Sequence, residues 1–115
     1  MFRFEGLEIW RRAMEFSCEM MEVAEELDRI RKYKIAEQLR NCALSISNNI
    51  TEGSGSASKR DFRLFLNYAH RSAFETANML MLCHRKTWIT QTSAQKNLKE
   101  VEEIAKMIIG FSRSL

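Results

Sequence analysis

Residues 38–55 read QLRNCALSISNNITEGSG, and the spacing inside this stretch decides the fold class. With Ile35 just upstream, Leu39, Cys42, Ile46 and Ile50 recur at steps of four, three, four and four. That is a single apolar stripe on a 3.6-residue period, the pattern of an amphipathic helix. Gln38, Ser45 and Glu52 fall seven residues apart and form a polar stripe beside it, with Asn49 between the two. Ser45, Ser47, Asn48 and Asn49 occupy four of five successive positions. Ser and Asn are mediocre helix formers, because their side chains compete for backbone hydrogen bonds, so propensity does not explain them. Without a histidine, a metal-ligand spacing or a base beside them, Gln38, Ser45, Asn49 and Glu52 read as a hydrogen-bonded seam. Such a seam would hold this helix, the loop that ends it and a neighbouring helix in register.

The same period runs outward in both directions. Helix 1 is expected over about Glu5–Leu27, helix 2 over Lys34–Glu52, helix 3 over Ser58–Arg85 and helix 4 over Ser93–Phe111. Gly53-Ser54-Gly55-Ser56 supplies the stop after helix 2, through glycine's tolerance of the left-handed conformation. Ser58 with Asp61, and Thr92 with Gln95, are candidate caps for helices 3 and 4. The chain contains no proline, which favours long uninterrupted helices. Its 115 residues are the size of one domain, 1–115, able to bury roughly 65% of the unfolded surface without staples. Four helices with short connections predict an all-α fold, an antiparallel up-down-up-down four-helix bundle.

Helix 1 carries two apolar stripes rotated by about 120°. One is Leu7, Trp10, Met14, Cys18 and Met21; the other is Ile9, Ala13, Phe16, Met20, Val23 and Leu27. Helix 3 likewise has a main stripe (Phe62, Phe65, Ala69, Ala73, Thr76, Leu80, Cys83) and a flanking one (Leu64, Tyr68, Met79, Leu82) that carries Glu75. A helix in one small bundle needs a single stripe, and large exposed apolar patches mark interaction sites. The expected homo-oligomer interface therefore takes Ile9, Phe16, Met20 and Leu27 from helix 1 and Leu64, Tyr68, Met79 and Leu82 from helix 3. Unlike stripes meeting on successive copies make a heterologous contact, which closes into rings or runs into filaments; a symmetric helix 1 dimer is the alternative. Helix 4, with one stripe (Ala94, Leu98, Val101, Ala105, Ile108, Ser112), is an ordinary solvent-facing helix.

The search for chemistry excludes more than it finds. A di-iron bundle needs Glu-x-x-His, but Asn67 and Met81 stand three residues before His70 and His84. Gly53-Ser54-Gly55 lacks the lysine and the preceding strand of a phosphate loop. Cys18, Cys42 and Cys83 have no metal spacing and read as small core residues of a reducing compartment. No catalytic residue, metal, cofactor or small-molecule substrate is indicated, and the expectation is a non-enzyme. There is neither a signal-like apolar run nor a span of the ~20 residues that a bilayer needs, so no membrane partner and a cytoplasmic location are expected. Glu52 and Glu75 sit beside apolar stripes and must find partners or stay near water; Arg40 and Arg71 are candidate partners, in the same or a neighbouring subunit.

The net charge is only +3, yet its distribution matters. An up-down bundle brings the helix 1–2 and helix 3–4 links to one end, which collects Arg29, Arg31, Lys32, Lys34, Arg85 and Lys86. Lys59, Arg60 and Arg63 occupy the other end. Repeated around a ring, six cations per subunit make a multivalent surface for phosphate backbones. Tyr33 and Trp88 lie at the same end as candidate stacking groups.

The chain also resembles a family: the four-helix-bundle proteins encoded in intervening sequences of bacterial 23S ribosomal RNA genes, related to the accessory variability proteins of diversity-generating retroelements. Phe4, Leu7 and Trp10 match its Phe-x-x-Leu-x-x-Trp. Gln38, Leu39, Arg40, Ala43, Ser45, Ile46, Asn49, Ile50, Glu52 and Gly53 match Gln-Leu-Arg-x-x-Ala-x-Ser-Ile-x-x-Asn-Ile-x-Glu-Gly. Phe62, Phe65 and Leu66 match Phe-x-x-Phe-Leu. Ser72 and Glu75 match the end of Gly-Ser-x-x-Glu, where Arg71 replaces the glycine, and the usual proline after helix 1 is missing. The resemblance implies a homopentameric ring of four-helix bundles without enzymatic activity. From the retroelement relatives it implies binding of RNA and reverse transcriptase by a basic pentamer. Two functions follow as expectations: an RNA- or ribonucleoprotein-binding adaptor, or a protein-interaction scaffold that touches no nucleic acid.

Overall fold

A computed structural model describes residues 1–115. A single 3-10 turn, Arg3–Gly6, precedes four helices: α1 Glu8–Arg29, α2 Tyr33–Ser54, α3 Lys59–Arg85 and α4 Gln91–Ser114. There are no strands. Consecutive helices pack on one another, and α4 returns to α1 through the thinnest of the four interfaces. Chain direction alternates. Lys32 and Trp88, from the α1–α2 and α3–α4 links, touch at one end. At the other end Arg3 lies over Phe62 and Phe62 packs edge-on against Phe111.

One contiguous core of 26 buried hydrophobic residues runs through all four helices. Ile9, Ala13, Phe16, Met20, Val23 and Leu27 of α1 lie inside it, and so does Met79 of α3. This corrects the expected interface: Ile9, Phe16, Met20, Leu27 and Met79 pack within the subunit and are not available to a second copy. Cys18, on the other stripe, is exposed rather than core, while Cys42 and Cys83 are buried. The reason is legible on the wheel. Arg11 and Glu25 lie seven residues to either side of Cys18, and Glu22 lies four away. Turning the Cys18 stripe inward would bury three charges.

Where the helices end also differs from expectation. No glycine has a positive φ, and α2 continues through Gly53 to Ser54. The close approach of α3 accounts for Gly53 instead. A Cβ there would stand 2.8 Å from Phe62 Cδ1 and 2.8 Å from Phe65 Cβ, closer than carbon atoms pack. Ser58 caps α3 by accepting from the Asp61 amide at 3.1 Å, whereas α4 starts earlier than expected, with Thr90 accepting from the Ser93 amide at 3.1 Å. The Thr92–Gln95 pair therefore lies inside the first turn of α4 and does not cap it. On α4, Asn97 and Ile104 join Ala94, Val101, Ala105 and Ile108 in the interior, with Leu98 only half-buried.

Candidate nucleic-acid interface

The two links at the basic end are built alike. After α1 the Lys32 amide donates to the Leu27 carbonyl and the Arg31 amide to the Asp28 carbonyl, both at 2.9 Å. After α3 the Trp88 amide donates to Cys83 and the Thr87 amide to His84, again at 2.9 Å. Both are Schellman closures, in which the residue after the cap takes the left-handed conformation and is usually glycine. Here those residues are Arg31, at φ 65°, and Thr87, at φ 60°. Each costs about 1 to 2 kcal/mol relative to a comfortable backbone. Both links lie where the helix bounds place them, but no glycine in the sequence announces the left-handed residue in either.

The closures press the links together. Lys32 Nζ sits 4.9 Å from the centre of the Trp88 ring and Lys86 Nζ sits 5.9 Å from it. Trp88 is thus occupied by two ammonium groups, holding one lysine from each link, and does not offer a free face to a base. Tyr33 does: it opens α2 and is 60% exposed. Of the six cations expected here, only Arg29 reaches a carboxylate, Glu25 at 4.0 Å. Arg31, Lys34 and Arg85 are exposed without an acidic partner. Of the nearby acids, Asp28 pairs with Arg40, which also lies 3.7 Å from Glu37, while Glu26 is exposed and unpaired. Arg40 therefore serves to withdraw negative charge from this end rather than to meet Glu52 or Glu75. At the opposite end Arg63 is tied to the Leu115 carbonyl and Lys59 and Arg60 are exposed.

The polar seam is real but smaller than expected. Ser45 and Ser72 share a hydrogen bond of 2.8 Å across α2 and α3. Asn49 donates back to the Ser45 carbonyl at 2.8 Å and to the Ser45 hydroxyl at 3.0 Å, within its own helix and not to the loop. Below them Thr76 donates to Cys42 Sγ at 3.2 Å, and burial pushes the Cys42 thiol above its ordinary range. Gln38, Glu52, Arg71 and Glu75 are exposed and form no side-chain bond or ion pair, so both glutamates stay near water instead of meeting Arg40 or Arg71. Ser45, Asn49, Tyr68, Arg71, Ser72 and Glu75 line an open cleft of about 450 Å³.

The seams flanking α4 differ again. Arg12 closes α1 on α4 with a two-pronged grip on Glu100, at 2.6 and 3.2 Å, and this carboxylate holds the guanidinium above its ordinary pKa. Between α3 and α4 lies an apolar groove of about 330 Å³, lined in part by Phe74, Ala77, Met81 and Leu98. Phe74 and Met81 are 63% and 51% exposed, more than Leu64, Tyr68 or Leu82. Sequence reasoning missed both, because each stands outside the periodic stripes. No three His, Cys, Asp or Glu side chains converge anywhere in the fold.

A family model of the 23S rRNA-intervening sequence proteins matches residues 5–110. The chain belongs to that family. A crystal structure described as a protein of unknown function from the S23 ribosomal protein family of Bacteroides thetaiotaomicron superposes with a TM-score of 0.87. It is 27% identical over 90% of this chain and 97% of its own. No curated protein matches. The Asn-Ile-x-Glu-Gly stretch at 49–53, which carries the resemblance, has a packing reason at Gly53 and a bonding reason at Asn49, but none at Glu52.

Proposed function

We infer that this protein is a non-enzymatic, oligomeric adaptor that binds RNA or a ribonucleoprotein through the end of the bundle formed by the α1–α2 and α3–α4 links. The observation that carries the reading is the charge there. Five of the six cations (Arg31, Lys32, Lys34, Arg85 and Lys86) have no acidic partner, two of them lie against Trp88, and Arg40 pairs with the neighbouring Asp28. Uncompensated cations held in place bind phosphates by releasing counterions. Family membership supports an RNA connection, and the resemblance to the retroelement accessory proteins supports a pentameric ring that repeats the basic end five times.

Charge reversal of Arg29, Arg31 and Lys32 to glutamate tests this with a fluorescent RNA hairpin titrated at several salt concentrations. The expected result is a loss of affinity together with a flatter dependence on salt, by roughly 0.7 to 0.9 in slope for each phosphate contact removed. Undiminished affinity with an unchanged slope would remove this end as the RNA surface.

A second reading, a protein-interaction scaffold without nucleic-acid contact, is favoured by the groove between α3 and α4. Phe74 and Met81 line it, both more than half exposed, in the form that accepts an amphipathic helix.

A further inference from the structure

The basic end holds one feature that generic phosphate binding leaves unexplained. An exposed aromatic ring, Tyr33, stands at the start of α2 directly after two cations and before a third, while the other aromatic residue of this end is covered by lysines. Arg31 adds a second. It occupies a left-handed closure where glycine is the comfortable residue, and its guanidinium has no partner in the fold. Strain kept at an exposed site without a structural partner points to function at that site.

We propose that the two links form a binding site for single-stranded nucleic acid, in which the Tyr33 ring takes an unpaired base and Arg31, Lys34 and Arg85 hold the flanking phosphates. The proposal rests on the nucleic-acid reading above and narrows it. Bases inside a duplex present no free face, whereas an unpaired base stacks on any accessible aromatic ring, largely irrespective of its sequence. Lys32 and Lys86 are fixed by Trp88 and add charge at the same place. Arg31 is a binding residue whose position is unfavourable for the fold, so fold and binding should respond to its replacement in opposite directions.

The experiment uses the full chain with two labelled probes at 50 mM salt, a 12-nucleotide oligouridylate and a 12-base-pair RNA duplex, read by fluorescence anisotropy. Tyr33→Ala should weaken the single strand roughly 5- to 150-fold, the range for losing one stacked base, and leave the duplex unchanged. Tyr33→Phe should restore single-strand binding. Arg31→Gly should raise Tm while weakening single-strand binding and flattening its salt slope by roughly 0.7. The inference is overturned, with the broader reading intact, if the duplex binds as tightly as the single strand, or if Tyr33→Ala affects neither probe or both equally. Failure of both probes to bind the wild-type chain overturns the inference and the nucleic-acid reading together. Circular dichroism on each variant separates loss of binding from loss of fold.

Discussion

At the scale of single residues, the structure assigns physical causes that differ from those the letters invite. Gly53 looks like a helix terminator and is a spacer: any side chain meets Phe62 and Phe65 at 2.8 Å. Gly53→Ala should therefore destabilise the fold by about 1 to 3 kcal/mol, the cost of overpacking a close contact, seen as a lower urea midpoint at unchanged slope. Thr87 is the reverse case, a β-branched residue carrying the left-handed conformation that Gly53 does not adopt. Thr87→Gly should stabilise by about 0.5 to 1 kcal/mol, the relief of strain less glycine's extra entropy in the unfolded chain, and should raise Tm by a few degrees. His70 gives a pH signature. Burial in the recess it shares with Glu102, Lys106 and Arg113 lowers its pKa from the ordinary 6.5. The unfolded chain thus takes up the proton first as pH falls. Stability associated with His70 is complete above about pH 7 and is lost as pH drops from 6.5 toward the lower folded value. His70→Gln should flatten the fall in unfolding free energy between pH 7.5 and 5.5, measured by urea titration at each pH.

At the scale of elements, four helices, their order and most of their bounds follow from apolar periodicity alone, because each helix needs one inward stripe and the period is the same in all four. What periodicity does not say is which of two apolar stripes turns inward. On α1 the answer lay in the charges sharing the Cys18 face, Arg11, Glu22 and Glu25, a signal present in the letters. The turns were less legible. Schellman closures at Arg31 and Thr87 are set by backbone bonds to Leu27 and Cys83 and override residue preference, so no local sequence cue marks them. The candidate site was legible as a set of cations at one end, but the covering of Trp88 by Lys32 and Lys86 and the withdrawal of acids by Arg40 depend on tertiary contacts. On α4, Gly110 has nothing within 4 Å of the place its Cβ would take. It is an exposed glycine inside a helix, and neither packing nor dihedral requires it. Gly110→Ala should stabilise α4 by about 1 kcal/mol in thermal unfolding, the ordinary helix-propensity difference.

At the scale of the whole molecule, the question is what the exposed apolar surface does once the α1 core stripe is removed from the reckoning. Apart from Phe2, Ile30 and Tyr33 near the ends of the bundle, what remains lies along α1 and α3. The α1 side presents the half-buried Leu7, Trp10 and Met14 with the exposed Met21, and α3 presents Leu64, Tyr68 and Leu82, with Phe74 and Met81 turned toward the α4 groove. These faces differ in residues and in neighbours, so self-association through both pairs unlike surfaces, an arrangement that closes into a ring or runs into a filament. A symmetric dimer through one face would leave the other bare. The two outcomes separate cleanly by mass. Light scattering at micromolar concentration should give a discrete species several times the 13.5 kDa chain, five times for the proposed pentameric ring. Leu64→Glu combined with Leu82→Glu should break it toward the monomer by putting two carboxylates on the α3 face. Met21→Glu, on the other face, should do the same in a ring but leave an α3–α3 dimer untouched. Because both substitutions lie on exposed positions, helicity should be retained, and mixing the two variants supplies the decisive reading. In a heterologous contact each carries one intact face, so an equimolar mixture should recover paired species that neither forms alone, whereas a symmetric contact through α3 recovers nothing beyond the Met21→Glu dimer.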